Sequence, residues 1–164
     1  MTRNILHFFL LFAALSLSAQ DRTLRVDYIF SGTDRSVEIS LDEMSCFDGW
    51  AGRRVNLDKA PLRGNGQISL SDASTGDVLY CQSFSTLFQE WQTTEEATRV
   101  RKSFENVFLL PMPSSRVVVR VELYDFKGNV SASIAHVVDP SDILIRRLDP
   151  DLPPHRYILE SGND

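Results

Sequence analysis

Residues 117–138 read VVVRVELYDFKGNVSASIAHVV, and this stretch decides the fold. Val117, Val119, Val121 and Leu123 share one parity and oppose Arg120 and Glu122. Beyond Lys127-Gly128-Asn129 the pattern resumes, with Val130, Ala132, Ile134 and Val138 against Ser131 and Ser133. A period of two turns one face of a strand to a core and the other to water. Gly and Asn supply the positive φ that a tight reversal needs. The stretch therefore reads as two half-buried strands joined in an antiparallel hairpin.

The same signature recurs outward from it. Leu24, Val26, Tyr28 and Phe30 share a face; so do Val37, Ile39 and Leu41, then Ile68 and Leu70, then Val78, Tyr80 and Phe84. Ser31-Gly32-Thr33-Asp34 and Ser74-Thr75-Gly76-Asp77 carry turn chemistry between them. Many short strands at close spacing predict an all-β chain, an antiparallel β-sandwich with one short helix or helical loop. The helical signal is Thr93-Thr94-Glu95-Glu96, which fits a capping box with Thr93 as N-cap. Ala97, Val100, Arg101 and Phe104 follow at helical spacing, and Glu95 and Arg99 make an i,i+4 pair. The competing reading is a loop feeding a strand, because Phe104–Leu110 turns strand-like and Pro111 ends it.

The ends of the chain differ from its middle. Arg3 precedes an almost wholly apolar run, Ile5–Leu17, which closes on Ser18-Ala19. This is the order of a secretory signal peptide, expected over residues 1–19 with cleavage near Ala19. Thirteen residues rise only about 20 Å as a helix, short of a bilayer core, so the membrane is met only during export. The expected sandwich domain is 20–138. Residues 139–164, spaced by Asp139-Pro140, Asp149-Pro150 and Pro153-Pro154, read as an extended connector, with Ile143, Leu144 and Ile145 as docking candidates. Secretion or periplasmic residence follows from the signal, and export permits disulfides. Cys46 and Cys81 either form the single pairing they allow or stay as small buried thiols.

The 164 residues carry a formal charge of −5. That balance argues against nucleic-acid binding through phosphate neutralisation. The catalytic inventory is short. Neither His136 nor His155 sits in HExxH, no serine lies in GxSxG, and there is no P-loop and no dinucleotide fingerprint. No cofactor or metal ligand set is read. Asp72–Asp77 lacks the frame of a calcium loop and reads as a plain hairpin. Asn129-Val130-Ser131 fits a glycosylation sequon at a turn. Two aromatic segments are candidate partner-binding anchors: Trp50 in Phe47-Asp48-Gly49-Trp50-Ala51-Gly52, with Arg53 and Arg54 at its rim, and Trp91 in Phe88-Gln89-Glu90-Trp91. Core packing at the ends of the sandwich is the alternative for both.

Several longer stretches add to this. Val26–Thr33 (VDYIFSGT), Ser45–Ile68 (SCFDGWAGRRVNLDKAPLRGNGQI), Ser83–Pro113 (SFSTLFQEWQTTEEATRVRKSFENVFLLPMP) and Pro154–Gly162 (PHRYILESG) resemble the N-terminal domain of the bacterial IgA-type zinc metallopeptidases, metallopeptidase family sixty-four. The likeness implies an immunoglobulin-like β-sandwich and a secreted or periplasmic protein. It also implies a partner, a catalytic domain with an HExxH zinc site, expected to begin about where this chain ends. No catalytic residue of that family has a counterpart here. The resemblance thus implies a non-catalytic accessory domain that packs on or positions the protease. The alternative is a stand-alone secreted module that binds glycan or host protein through Trp50 and Trp91.

Overall fold

A computed structural model describes residues 22–60 and 64–148. The signal peptide expected over 1–19 and the tail from 149 onward lie outside the described residues. Among the described residues, eight strands form two sheets. The first, in the order β5-β1-β2-β8, holds β1 (Arg22–Gly32), β2 (Val37–Asp48), β5 (Lys102–Pro111) and β8 (Arg146–Arg147). The second, in the order β4-β3-β6-β7, holds β3 (Gly66–Asp72), β4 (Val78–Phe84), β6 (Val117–Tyr124) and β7 (Val130–Val138). Every pairing is antiparallel except that of β8 with β2. The molecule is a β-sandwich. Its second sheet has the C′-C-F-G order of immunoglobulin-type domains. In its first sheet the first strand of the chain, β1, takes the central place that such domains give to their second strand.

That central place shows in the burial. Leu24, Val26, Tyr28 and Phe30 of β1 are fully buried, facing Ile68 and Leu70 of β3 and Val117, Val119, Val121 and Leu123 of β6. The alternation in residues 117–138 is realised as written, with Val117↔Val138 and Val121↔Ile134 in register.

Three apolar residues on the expected inner parity end up exposed: Leu41 at 36%, Val78 at 45% and Val130 at 52%. Each borders a register shift, where β2, β4 and β7 carry one extra residue against their neighbours. For Val78 and Val130 the inserted residue turns the side chain to the outer face, opposite Ser71 and Tyr124, whereas Leu41 keeps the inner parity of Val37 and Ile39 opposite Tyr28 and is exposed there.

The helix lies earlier than Thr93-Thr94-Glu95-Glu96 predicts. The α-helix α1 is Leu87–Trp91, and its N-cap is Thr86, whose Oγ1 accepts from Phe88 N at 3.1 Å. Thr93 instead donates its hydroxyl to Glu90 O at 2.7 Å, and only Glu96–Thr98 forms a 3₁₀ turn. The Glu95–Arg99 ion pair forms across that turn. Residues 102–111 pair along the length of β1, Phe104 opposite Phe30, and are strand. A short isolated helix is marginal, so ten residues of sheet pairing outweigh it.

Candidate functional site

The residues singled out as anchors lie at both ends of the sandwich, and their rings face inward. Beyond β2 the chain turns at Gly49 (φ 93°) into the Trp50 loop. Trp50 is 8% exposed and meets the Tyr80 ring edge-on, centroids 5.8 Å apart. Its Nε1 donates to Arg53 O at 3.0 Å, and Arg54 donates back to Trp50 O at 3.0 Å. Gly52 lies against the indole so closely that a Cβ there would sit 2.2 Å from a ring carbon.

Arg53 is the clamp of this loop. Its guanidinium donates to the carbonyls of Leu57, Lys59 and Cys81 and lies 5.6 Å from the Tyr80 ring centroid. Cys81 N in turn donates to Leu57 O at 2.7 Å, so residues 53–59 cover the edge of β4. At the other end, Trp91 is 9% exposed between Phe88 and Phe104. Its Nε1 donates to a Glu96 carboxylate oxygen at 2.8 Å, and the Lys102 ammonium lies 5.8 Å from its ring centroid. Of the four expected anchors, Trp50 and Trp91 are buried, Arg53 is half-buried and Arg54 is exposed. The indoles belong to the core, Arg53 spends its donors on backbone carbonyls, and Arg54 gives one N–H to Trp50 O.

Cys46 and Cys81 are both buried and both free. They belong to different sheets. Cys46 Sγ accepts from Arg22 at 3.0 Å and Cys81 Sγ from Gln67 at 2.8 Å. Burial pushes the Cys81 thiol up, away from thiolate chemistry.

His136 points between the sheets, its Nε2 2.7 Å from the Tyr28 hydroxyl. Burial lowers the imidazole from its ordinary value and raises the phenol, so the two rings meet as neutral groups through one hydrogen bond. Among the described residues no carboxylate hydrogen-bonds to either ring. The pair is a polar bolt through the core and lacks the orienting acid of a triad. Among the described residues, no three His, Cys, Asp or Glu side chains come together to hold a metal ion.

Two concavities remain. One, of about 740 Å³, is mostly apolar and is walled by the Trp50 loop, Tyr80 of β4 and Phe108 of β5. The other, of about 680 Å³, is lined by polar and apolar side chains in similar measure and lies at the end bearing the β1–β2 and β6–β7 hairpins.

The most exposed aliphatic side chains follow β7. Asp139 accepts from Ser141 N and Oγ at 2.9 and 2.6 Å and from Arg116 Nε at 2.7 Å. Those bonds, Ser141 first, hold its carboxyl well below the usual range. Asp142 accepts from Leu144 N at 2.9 Å through its side chain and from Ile145 N at 3.1 Å through its carbonyl. The turn so fixed buries Ile145 and leaves Ile143 and Leu144 94% and 73% exposed. β8 then pairs beside Ser45 and Cys46, and Leu148 N donates to Cys46 O at 2.8 Å. Of the three docking candidates in this segment, one docks on its own domain and two face water.

A family model described as Peptidase M64 N-terminus matches residues 16–135. No curated protein matches the chain.

Proposed function

Because the chain belongs to the peptidase M64 N-terminal family, we propose that it is the non-catalytic accessory domain of an exported, IgA-type metallopeptidase, and that it works by packing on the catalytic domain and positioning it. The N-terminal charged, apolar and small-residue order of residues 1–19 supports export. The single observation that carries the contact is the turn at 139–145. It lies just past the matched region, it is locked by two aspartates, and it holds Ile143 and Leu144 in water.

Rigid presentation matters here. A side chain already held in its bound geometry loses little conformational freedom on docking. Full burial of an aliphatic side chain is worth about 1.5–3 kcal/mol. A linked partner gains further from its high effective concentration. The segment is anchored at both ends, by Arg116–Asp139 on one side and by Arg146–Glu43 and Arg147–Asp48 on the other. A partner seated on the two aliphatic tips would therefore be held in a fixed orientation relative to the sandwich.

The test is to mix the full chain with a separately produced family-sixty-four catalytic domain and follow association by sedimentation and the thermal midpoint of the protease. The expected result is a complex at micromolar concentration and a raised midpoint. An Ile143→Ser/Leu144→Ser double variant should weaken the complex roughly tenfold or more. Absence of a complex, together with an unmoved midpoint, removes the proposal.

A further inference from the structure

The apolar concavity is bordered by Val107, Phe108 and Leu109, which belong to the outermost strand of the first sheet. The four outer strands of the sandwich are β5, β8, β4 and β7. β4 is covered, since Cys81 N bonds to Leu57 O and Arg53 to Cys81 O. β8 is two residues long, and β7 is interrupted by a register shift beside Tyr124. β5 is ten residues long and pairs with β1 without a shift. Met112 N donates to Arg22 O at 3.0 Å, one step beyond the Thr23–Pro111 pair. That bond sets the phase of the ladder, so the even-numbered residues of β5 bond to β1. The N–H and C=O groups of Glu105, Val107 and Leu109 therefore point away from the sheet. Among the described residues, no backbone group bonds to them from that side.

A long, regular, apolar edge invites a further strand. Val107 and Leu109 are 50% and 47% exposed, and Glu105 is the one charge between Ser103 and Leu110. A strand added here turns one row of side chains outward, beside Val107 and Leu109. Its other row enters the concavity, toward Phe108, Trp50 and Tyr80. The occupant must therefore carry apolar residues two apart.

The chain itself supplies such a segment. Sixteen residues follow Leu148. Among them, Arg156-Tyr157-Ile158-Leu159-Glu160 puts Tyr157 and Leu159 on one parity and both charges on the other. The path also fits. β8 runs parallel to β2, and Leu148 N bonds to Cys46 O, so the chain leaves β8 at the Phe47–Gly49 end of the sheet. Those residues also wall the concavity. From the position of β8 to the slot beyond β5 is four strand spacings, about 19 Å. Residues 149–155 include Pro150, Pro153 and Pro154, and seven residues in polyproline extension span about 22 Å. A strand entering from that end runs opposite to β5, whose last residues, Leu110 and Pro111, lie there.

We propose that residues 156–160 add to β5 as an antiparallel strand of the first sheet, with Tyr157 and Leu159 filling the concavity beside Trp50. Main-chain pairing supplies the affinity, and the concavity fixes the register. The tether raises the effective concentration of the segment at the edge. This docking is independent of the packing on a protease.

The test follows amide exchange by NMR in the full chain, in Tyr157→Asp/Leu159→Asp and in Tyr157→Phe/Leu159→Ile. The expected result is slow exchange at Glu105, Val107 and Leu109 in the full chain, exchange roughly tenfold or more faster there in the aspartate variant, and no change in the conservative one. Both variants alter residues outside the sandwich strands, and unchanged exchange at Ile68 and Val121 checks the fold. Rapid exchange of the three amides in the full chain overturns the proposal, and so does slow exchange that survives the aspartates. Protection that rises with protein concentration, in step with dimer formation in sedimentation, assigns the edge to a second copy and overturns it as well.

Discussion

Trp50 and Phe126 occupy similar sequence settings and meet opposite fates. Each sits in a turn that uses a glycine at positive φ, Gly49 at 93° and Gly128 at 83°. Trp50 is 8% exposed and Phe126 is 95% exposed. The difference lies in what closes each turn. The β6–β7 turn is closed by the Asp125 carboxylate, which accepts from two backbone amides and the Asn129 side chain, so the ring takes no part. The Trp50 loop is closed through the tryptophan, by its indole N–H to Arg53 O and by Arg54 to its own carbonyl. An aromatic ring goes inward where its loop cannot close without it.

The strongest way to break this comparison is to remove the inward ring. Trp50→Ala should lower the free energy of unfolding by about 3–5 kcal/mol, the range for truncating a large core aromatic. Urea unfolding followed through Trp91 fluorescence measures it. A loss under about 1 kcal/mol would mean that the loop closes without its indole. Gly52→Ala attacks the same contact from the other side. Its new methyl would meet the indole at 2.2 Å, so a loss of about 1–3 kcal/mol is expected from overpacking.

Arg53 ranks next. Arg53→Met keeps an apolar stem near the Tyr80 ring but leaves the carbonyls of Leu57, Lys59 and Cys81 without their charged donor. Partly exposed charged hydrogen bonds of this kind are worth about 1.5–3 kcal/mol in sum, so a loss of that order is expected. Faster amide exchange at Cys81, whose N–H bonds to Leu57 O, would locate the loosening in the 53–59 segment. Unchanged exchange there would show that the loop holds itself.

Much of the sandwich is legible in the sequence because β1, β3 and β6 lie between two neighbours and are buried along one face. Period two is then the only pattern that survives, as in Leu24, Val26, Tyr28 and Phe30. Legibility fails where local signals compete with pairing. The capping-box residues Thr93 and Glu96 satisfy other groups, because β1 draws residues 102–111 into the sheet. It fails again at the bulges beside Val78 and Val130, since an inserted residue leaves no mark in hydrophobic parity. The surface candidates were the least visible. Tryptophan beside arginine suggests a binding edge, yet the most exposed apolar side chains are Phe126, Ile143 and Leu144, in turns whose aspartates do the closing. An aspartate two residues before an apolar residue, as in Asp142–Leu144, is the sequence signal that such turns offer.

A ring of intermediate status, His136, sharpens the comparison by pH. Its folded value lies below the ordinary imidazole value because burial disfavours the cation. Between the two values the unfolded chain binds more protons than the folded one, so stability rises with pH there. The contribution is complete above about pH 6.5 and is lost as pH falls through 6.5 towards the folded value. The carboxylates give a separate window. Asp72, Asp125 and Asp139 are lowered in the folded state by their turn hydrogen bonds, so their contribution holds above the ordinary carboxylate value and is lost as pH falls below it. His136→Gln, which keeps a partner for the Tyr28 hydroxyl, should flatten the stability curve between pH 7 and 5 and leave the acid limb intact. A retained slope near neutral pH would assign it to another group.

The smallest effect belongs to the outward ring. Phe126 is 95% exposed, with the Lys127 ammonium 5.6 Å from its centroid. Its turn is closed by Asp125, so Phe126→Ala removes no closure and exposes no core. The unfolding free energy should change by less than about 0.5 kcal/mol, the range for surface substitutions. Asp125→Ala supplies the contrast within the same turn. It strips the acceptor from three donors and should cost more than the loss of the whole ring. If Phe126→Ala proved the more damaging of the two, the ring would be a structural member of its turn. The two aromatics would then no longer differ in kind, only in the amount of surface each leaves to water.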